Sequence, residues 1–194
     1  MRPVSVLGTV LCLLAMVAEE AGGRVYLTQQ EALARAFPPP QKVERRTLYL
    51  DADQARLAAE SAGVPVEGRV VPYYVGTRDQ QVTGYGYFDT HLVRTLAETV
   101  FILLSSEGQI ARIDIVSFDE PEDYLPPGRW LEQFRSRGDL SDLAPQGSIR
   151  ALTGATLSAR AVTQAARRVL AIHRLLVAPA ATSTGGRSPG ERGP

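Results

Sequence analysis

Cysteine and histidine are scarce in this sequence, with one cysteine and two histidines among 194 residues. Cys12, His91 and His173 do not make up a zinc site, because such sites need several closely spaced ligands. Net charge is also missing, since 21 Lys and Arg residues balance 21 Asp and Glu residues. A nucleic-acid-binding protein is expected to carry a basic face. We therefore expect neither a metal nor a nucleic-acid partner.

The chain also lacks the short motifs of several enzyme classes. It contains no glycine-rich phosphate loop ending in lysine, and neither histidine lies near a serine in a turn motif. No internal repeat is evident. The sequence therefore gives no indication of nucleophilic catalysis or of a P-loop protein.

The N-terminus carries an apolar run from Val4 to Ala18, preceded by a single positive residue, Arg2. A run of about 15 residues is typical of a secretory signal and is short for a membrane span of about 20. We predict that residues 1–21 are a signal peptide or an N-terminal anchor; a buried first helix is the third possibility. The protein is then exported, either periplasmic or membrane-associated outside the cytoplasm. Cleavage would remove the only cysteine, and thiol chemistry with it.

The opposite terminus is rich in Gly, Pro, Ser and Thr. Such a composition cannot bury a core, so we predict that residues 178–194 form a disordered tail.

Two short helices are predicted within residues 25–68, which we interpret as a helical N-terminal elaboration. The first covers residues 27–37, where Thr28 and Glu31 have the spacing of a capping box. The second lies within residues 50–63, with Asp51 or Asp53 near its start and Gly63 after its end.

Four strands are predicted next, at residues 69–76, 82–88, 99–105 and 109–118, where aromatic and β-branched residues accumulate or alternate. Pro72 indicates that the first is an edge strand. Glu107 and Gly108 predict a tight hairpin turn between the last two. Together these features indicate an antiparallel meander.

A proline-rich loop, a short helix with Trp130 and Phe134, and a long terminal helix complete the chain. The terminal helix is predicted from about residue 156 to 177. One apolar face is formed by Leu157, Ala161, Ala165, Val169, Ile172 and Leu176. The fold class is thus α+β, an antiparallel or mixed sheet of about four to five strands with helices packed on one side. We assign residues 69–177 to this domain.

The start of the terminal helix is a candidate phosphate site. The first amides of a helix have no partner within it, and they lie at the positive end of its dipole. Gly154 and Ala155 leave room for a phosphate beside the backbone, and Thr156 adds a hydroxyl. The alternative is that Thr153 or Thr156 is only an N-cap, a common role for threonine.

The string "TGATLS" at residues 153–158 resembles the attachment motif of the FMN-binding domain family. This family includes the C subunit of the sodium-pumping NADH:quinone reductase and the G subunit of the Rnf electron-transport complex. The resemblance covers residues 70–176 and includes the order of strands, acidic proline loop, aromatic helix and motif. It implies FMN as cofactor, joined by a phosphoester to Thr156.

The same resemblance implies the other cofactor-binding residues. Thr153, Gly154 and Ala155 match the positions before the linked threonine, and Leu157 and Ser158 follow it. Glu120 and Pro121 match an acidic proline loop that lies against the flavin ring in the family, with Tyr124 and Leu125 as further ring neighbours. A flavin transferase would load the FMN, and a membrane redox complex or a small electron carrier would be the partner. The chain would be an electron carrier rather than a turnover enzyme.

One departure from the family pattern lies at Arg150, where the loading enzyme usually meets an aspartate. Two alternatives to a covalent electron carrier follow: a noncovalent FMN-dependent reductase, and a flavin-free exported binding or assembly module on the same fold.

The polar interval at residues 87–95 has two interpretations. His91 and Arg94 are a second set of candidate cofactor contacts, or the interval is a solvated loop with a local pair between Asp89 and Arg94. The nearby Gly84 and Gly86 indicate close packing on one strand face, most simply against the terminal helix. Of the acids at 119–123, only Glu120 is expected to have a positional role.

Overall fold

The computed structural model describes residues 24–144 and 148–177. Within them, six antiparallel strands form one sheet in the order β1-β6-β5-β4-β3-β2. The strands are β1 (Arg24–Val25), β2 (Lys42–Tyr49), β3 (Val70–Arg78), β4 (Gln81–Leu92), β5 (Ala97–Ser105) and β6 (Ile110–Phe118). The predicted signal or anchor at 1–21 and the predicted tail at 178–194 lie outside the described residues.

Four helices accompany the sheet in the part of the chain that the structure describes. They are α1 (Gln29–Ala36), α2 (Ala52–Ala62), α3 (Gly128–Leu131) and α4 (Thr156–Ile172). Short 3-10 turns lie at Glu122–Tyr124, Glu132–Phe134 and Leu140–Leu143, and a π-helical turn, His173–Val177, follows α4. None of the helices within the described ranges has the length and apolar character needed to cross a lipid bilayer.

Local sequence signals set the ends of the first two helices. Thr28 caps α1 and forms the predicted capping box with Glu31. Asp51 caps α2 through the amide of Gln54, and Gly63 ends it in the left-handed conformation. These predictions are confirmed because each depends on residues only a few positions apart.

The predicted α+β class and the four central strands are confirmed, but the sheet has two more strands. β2 lies in a segment that was predicted to be helical only. Its sequence, KVERRTLY, has little apolar alternation because it is an edge strand with mostly exposed side chains. Charged residues on an edge strand oppose pairing with other chains. β1 is short and pairs with the end of β6.

Pro72 does not mark an edge strand as predicted, because β3 lies between β2 and β4. Pro72 pairs with Thr47 of β2, whereas the ladder between β3 and β4 begins one residue later, at Tyr73. β3 is therefore paired on only one side at Pro72. A proline is tolerated at such a locally unpaired position, since it has no N–H to donate.

Both faces of the sheet are covered. Val100, Ile102 and Leu104 of β5 belong to the large core beneath α4, together with α3. The intervening Phe101 instead packs with Ala32 of α1. The predicted placement of helices on one side thus holds for α3 and α4, and for α2, which packs on α4. α1 covers the opposite face.

Two glycines, Gly76 and Gly86, make room for aromatic rings on the α1 face, and Gly84 lies close to the backbone of Leu104. A Cβ at Gly76 would lie 2.2 Å from the ring of Phe37, and one at Gly86 would lie 2.8 Å from the ring of Phe101. Gly84 pairs directly with Gly76 across the strands. The expected close packing of Gly84 and Gly86 against the terminal helix is therefore wrong, because these glycines face away from α4.

The long helix α4 is confirmed from Thr156 to Ile172, and the predicted remainder up to residue 177 is the π-helical turn. The buried face of α4 is rich in alanine. Ala165, Ala166 and Leu170 are fully buried. Leu157, which was predicted on this face, is instead 46% exposed and lines a cleft, whereas the next residues, Ser158 and Ala159, are buried. The side chain of Leu176 lies outside what the structure describes.

His173 closes the large core at the end of α4. It is 2% exposed, and its Nδ1 lies 2.9 Å from the hydroxyl of Tyr87. Burial, with a smaller contribution from Arg174, lowers the pKa of His173 to about 4. The imidazole is therefore neutral in the folded protein near pH 7.

We predict that Gly76→Ala lowers the free energy of unfolding by about 1–3 kcal/mol, because the new methyl group would overlap the buried ring of Phe37. Gly128→Ala is the control, since a Cβ there meets nothing within 4 Å. Urea unfolding of both variants measures the difference. Equal stability of the two variants would contradict the packing described here.

We also predict that His173 makes the fold less stable as the pH falls from about 6.5 to about 4. In that window the unfolded chain binds a proton that the native chain excludes, which costs up to about 1.4 kcal/mol per pH unit. His173→Gln removes the titrating group and should flatten this part of the curve. Thermal unfolding of both proteins across the window is the measurement; parallel curves would refute the prediction.

Candidate functional site

The first turn of α4 has no side-chain cap. The N-cap residue is Ala155, which has no hydroxyl, and no side-chain hydrogen bond serves this end. Thr156 Oγ1 lies 3.4 Å from the carbonyl oxygen of Leu152 and donates backward, away from the helix amides. The alternative that Thr153 or Thr156 is merely an N-cap is therefore wrong. The first amides of a 17-residue helix remain available.

A hydroxyl and an open backbone lie beside these amides. Ser158 is 1% exposed, and its Oγ has no hydrogen-bond partner among the described residues. Gly154 has a φ of 85°, and a Cβ built there would meet nothing within 4 Å. Both residues line a cleft of about 220 Å³. The cleft thus contains a buried polar group without a partner, next to backbone that a ligand can approach closely.

The opposite wall of the cleft is the turn between β4 and β5. Glu120 holds this turn, since its Oε1 accepts hydrogen bonds from the amides of Arg94, Thr95 and Leu96 at 3.2, 2.9 and 3.0 Å. These backbone hydrogen bonds, with that of Thr95 the strongest influence, lower the pKa of Glu120. Glu120 is thus a carboxylate that positions a loop, which agrees with the expectation for this residue.

The short aromatic helix fixes the segment that leads into α4. Trp130 Nε1 donates to the carbonyl oxygen of Arg150 at 2.8 Å, and the amide of Arg150 donates to Gln133 Oε1 at 2.9 Å. Trp130 is itself buried and packs edge-on against Phe134. The backbone at position 150 is therefore anchored, while the side chain of Arg150 is left exposed.

Thr156 lies between the cleft and a second groove of about 360 Å³. The second groove is more basic, because Arg150, Arg160 and Arg167 contribute to its lining. The Thr156 side chain is exposed at the boundary, where an enzyme acting on its hydroxyl could reach it.

Eight of the twelve residues predicted to bind the cofactor surround one cleft. The residues that line it are Arg94, Glu120, Tyr124, Gly154, Ala155, Thr156, Leu157 and Ser158. Thr153, Pro121 and Leu125 lie beside it in sequence but are not part of its lining. Val93 also lines the cleft and was not predicted, since a single valine at the end of a strand carries no signal of binding. The binding role of all these residues stays a prediction.

His91, which was predicted to contact the cofactor, does not line the cleft. Residues 87–92 belong to β4 rather than to a solvated loop, and His91 contacts Asp89 and Glu98. Asp89 pairs with Arg168 of α4, not with Arg94. The pairing could not be found from the sequence because 79 positions separate the two residues.

The acids at 119–123 do not gather into a metal site. Within the described part of the chain, no group of three or more His, Cys, Asp or Glu side chains is arranged to hold a metal ion. Glu122 instead bonds to Arg24 and to the hydroxyl of Tyr26.

Comparison with known proteins supports one family. Residues 97–171 match the family model described as the FMN-binding domain. The match begins at β5, ends within α4, and includes Glu120, Tyr124 and residues 154–158 of the cleft. No curated protein and no solved structure matches the chain.

We predict that Glu120→Ala lowers the free energy of unfolding by about 2–3 kcal/mol, because three amides would lose a charged acceptor. Glu122→Ala is the matched control: its ion pair with Arg24 is exposed, and such pairs contribute about 0–1 kcal/mol. Urea unfolding compares the two. A Glu120 variant as stable as the Glu122 variant would show that the turn does not depend on this carboxylate.

Proposed function

We propose that the chain is an exported electron-transfer flavoprotein with one FMN esterified through its phosphate to Thr156, and the premise is the match of residues 97–171 to the FMN-binding domain. The coarser statement, that this is an FMN-binding flavoprotein, follows from the family match. The linkage, the export and the redox partner are the proposal.

The unpartnered hydroxyl of Ser158 is the observation that supports the site most strongly. A buried hydroxyl without a hydrogen-bond partner costs about 1–3 kcal/mol. A phosphate oxygen is the acceptor that this hydroxyl lacks. The free amides of the first turn of α4 and the positive end of its dipole favour the same anionic group.

The remaining residues of the cleft fit the rest of the cofactor. Arg94 can donate to phosphate or ribityl oxygens, and Gly154 leaves room beside the backbone. Tyr124 and Leu157 provide apolar surface for a ring system. The Glu120 carboxylate is turned toward three amides, which reduces its repulsion of a neighbouring anion. When bound, the flavin supplies the electron-accepting and electron-donating chemistry, and the protein binds and orients it.

Exposed apolar side chains at the cleft support a role in electron transfer. Leu96, Tyr124 and Leu157 are 37, 40 and 46% exposed and lie on the three segments that enclose the cleft. Apolar side chains gathered at a surface favour contact with another protein. We propose a membrane redox complex or a small electron carrier as that partner. The apolar run at residues 4–18 supports export, and a flavin transferase would load the cofactor.

A noncovalent FMN-dependent reductase is the second candidate. Arg150 favours it, because the loading enzyme of the family usually meets an aspartate at this position, and because an exposed guanidinium can hold a free phosphate. The match to an FMN-binding domain leaves the flavin-free module without support.

We predict that co-expression with a flavin transferase in an exporting host adds the mass of one FMN less one water to the denatured protein. Thr156→Ala should abolish this increase, because the ester oxygen is removed. Thr83→Ala is the matched control and should load normally, since Thr83 is an exposed threonine of β4 that lies outside both the motif and the cleft lining. Intact-mass spectrometry is the measurement.

Two other results would contradict the covalent linkage. A yellow protein that loses its colour on denaturation would show noncovalent FMN and support the reductase candidate. A colourless protein, in spite of ample flavin and transferase, would leave no flavin function. Arg150→Asp completes the series: a sharp rise in loading would show that Arg150 impairs recognition by the transferase.

A further inference from the structure

Four charged or titratable side chains form a continuous chain beneath the β4–β5 turn. Arg168 of α4 contacts Asp89 twice, with Nη2–Oδ1 and Nε–Oδ2 distances of 2.7 and 3.1 Å. His91 Nδ1 lies 2.8 Å from Asp89 Oδ1, and His91 Nε2 lies 3.1 Å from Glu98 Oε2. We call these four residues the latch. It connects two strands of the sheet to the terminal helix.

The latch is almost completely removed from solvent. The Glu98 side chain is 0% exposed, that of His91 10%, that of Asp89 14% and that of Arg168 17%. Charged groups are costly at such depth unless their charges cancel. The hydrogen-bonding pattern therefore restricts how many protons the latch can hold.

The hydrogen bonds of the latch imply that His91 and Glu98 share one proton. Asp89 accepts from Arg168 and is a carboxylate, so the Nδ1 of His91 must carry a hydrogen. Between Nε2 and Glu98 a single proton forms the hydrogen bond, whichever of the two groups holds it. With that proton the four residues have no net charge. Without it, a buried negative charge remains, and two acceptors face each other.

The pKa directions agree with this count. Burial opposes the charge on His91, but its hydrogen bonds to Asp89 and Glu98 outweigh that effect and raise the pKa of the imidazole. Burial also raises the pKa of Glu98. Asp89 has a lowered pKa, since bonds from His91 and Arg168 outweigh its burial. Among the described residues, Asp89, Glu98 and Arg168 are the charged groups that face His91 from β4, β5 and α4.

The latch connects the two walls of the flavin cleft. His91 and Glu98 are directly opposed on β4 and β5, at the base of the turn that carries Val93 and Arg94. Arg168 belongs to the same helix as residues 156–158, which form the other wall. Glu120 holds the tip of the turn. The spacing between the walls thus depends on the latch at the base and on Glu120 at the tip.

We propose that the latch positions the cleft for FMN only while His91 and Glu98 share their proton, so that FMN binding is linked to the retention of that proton. This inference rests on the proposed function of the cleft. Loss of the proton as the pH rises breaks the bond across the base of the turn and loosens one wall. By linkage, FMN binding makes the proton harder to remove. His91 is thus a positioning residue, not a residue that touches the flavin.

The experiment uses the full chain purified without flavin transferase, with free FMN as the probe. Affinity is measured by flavin fluorescence from about pH 7 to about pH 9, above the second pKa of a phosphate monoester near 6. We expect the Kd to increase with pH, by at most about tenfold per pH unit, because one proton is involved. Glu98→Gln replaces the titrating acid and should make the Kd independent of pH.

Controls separate the latch from general effects. Glu67→Gln changes an exposed acid at the groove beside His91 and should keep the pH dependence of the wild type. Thermal unfolding checks that Glu98→Gln folds, and His91→Gln is the second variant that removes the shared proton. Nuclear magnetic resonance of the His91 imidazole follows the proton directly. The imidazole should keep its proton at pH values above 6.5, the usual pKa of a histidine.

Each failure has its own signature. FMN binding with no pH dependence, or with the same dependence in Glu98→Gln, would overturn the linkage alone. A His91 imidazole that loses its proton near pH 6.5 would overturn the shared proton. An absence of free FMN binding by the wild type and by Glu67→Gln at every pH would overturn the linkage, whereas the proposed function fails only if the denatured mass after co-expression with the transferase also shows no FMN.

Discussion

The docking of α4 on the sheet is the constraint on which the rest of the molecule depends. Small side chains on its buried face let the helix lie close to β4 and β5. Two neighbouring arginines of α4, Arg167 and Arg168, then anchor the helix on both of its sides. Arg167 donates to the carbonyl oxygens of Ala62 and Leu140 at 2.6 and 2.7 Å, and Arg168 pairs with Asp89. Since the helix cannot shift, its first turn is held in place beside the turn between β4 and β5.

This placement gives the site its electrostatic character. The helix start presents unpaired amides and a buried serine hydroxyl, while the one buried carboxylate nearby, Glu120, is already hydrogen-bonded to three amides. An anion therefore meets donors on one side and a largely satisfied acid on the other. The site needs no excess of basic residues, which is consistent with a chain that carries no net charge.

The two histidines show how partners, rather than burial alone, decide protonation. Both are largely buried, yet their pKa values move in opposite directions. His173 meets the hydroxyl of Tyr87 and lies near Arg174, so nothing compensates a charge and the ring stays neutral. His91 lies between two carboxylates, which favour the proton. One histidine thus stabilises the core without charge, and the other balances a buried network.

The sequence by itself determined the features that depend on neighbouring residues: the caps of α1 and α2, the four central strands, the start of α4 and the small, hydroxyl-rich segment before it. The motif at 153–158 also pointed to residues that line the cleft, and their binding role stays a prediction. Tertiary structure decided the rest. β2 pairs with β3 through its backbone, which its charged side chains do not reveal. α1 packs on the opposite face of the sheet, where Gly76 and Gly86 leave room for aromatic rings. Asp89 pairs with Arg168 rather than with Arg94. The reason is physical: caps and periodicity act over a few residues, whereas the cleft and the latch join side chains that only the folded chain brings within hydrogen-bonding distance.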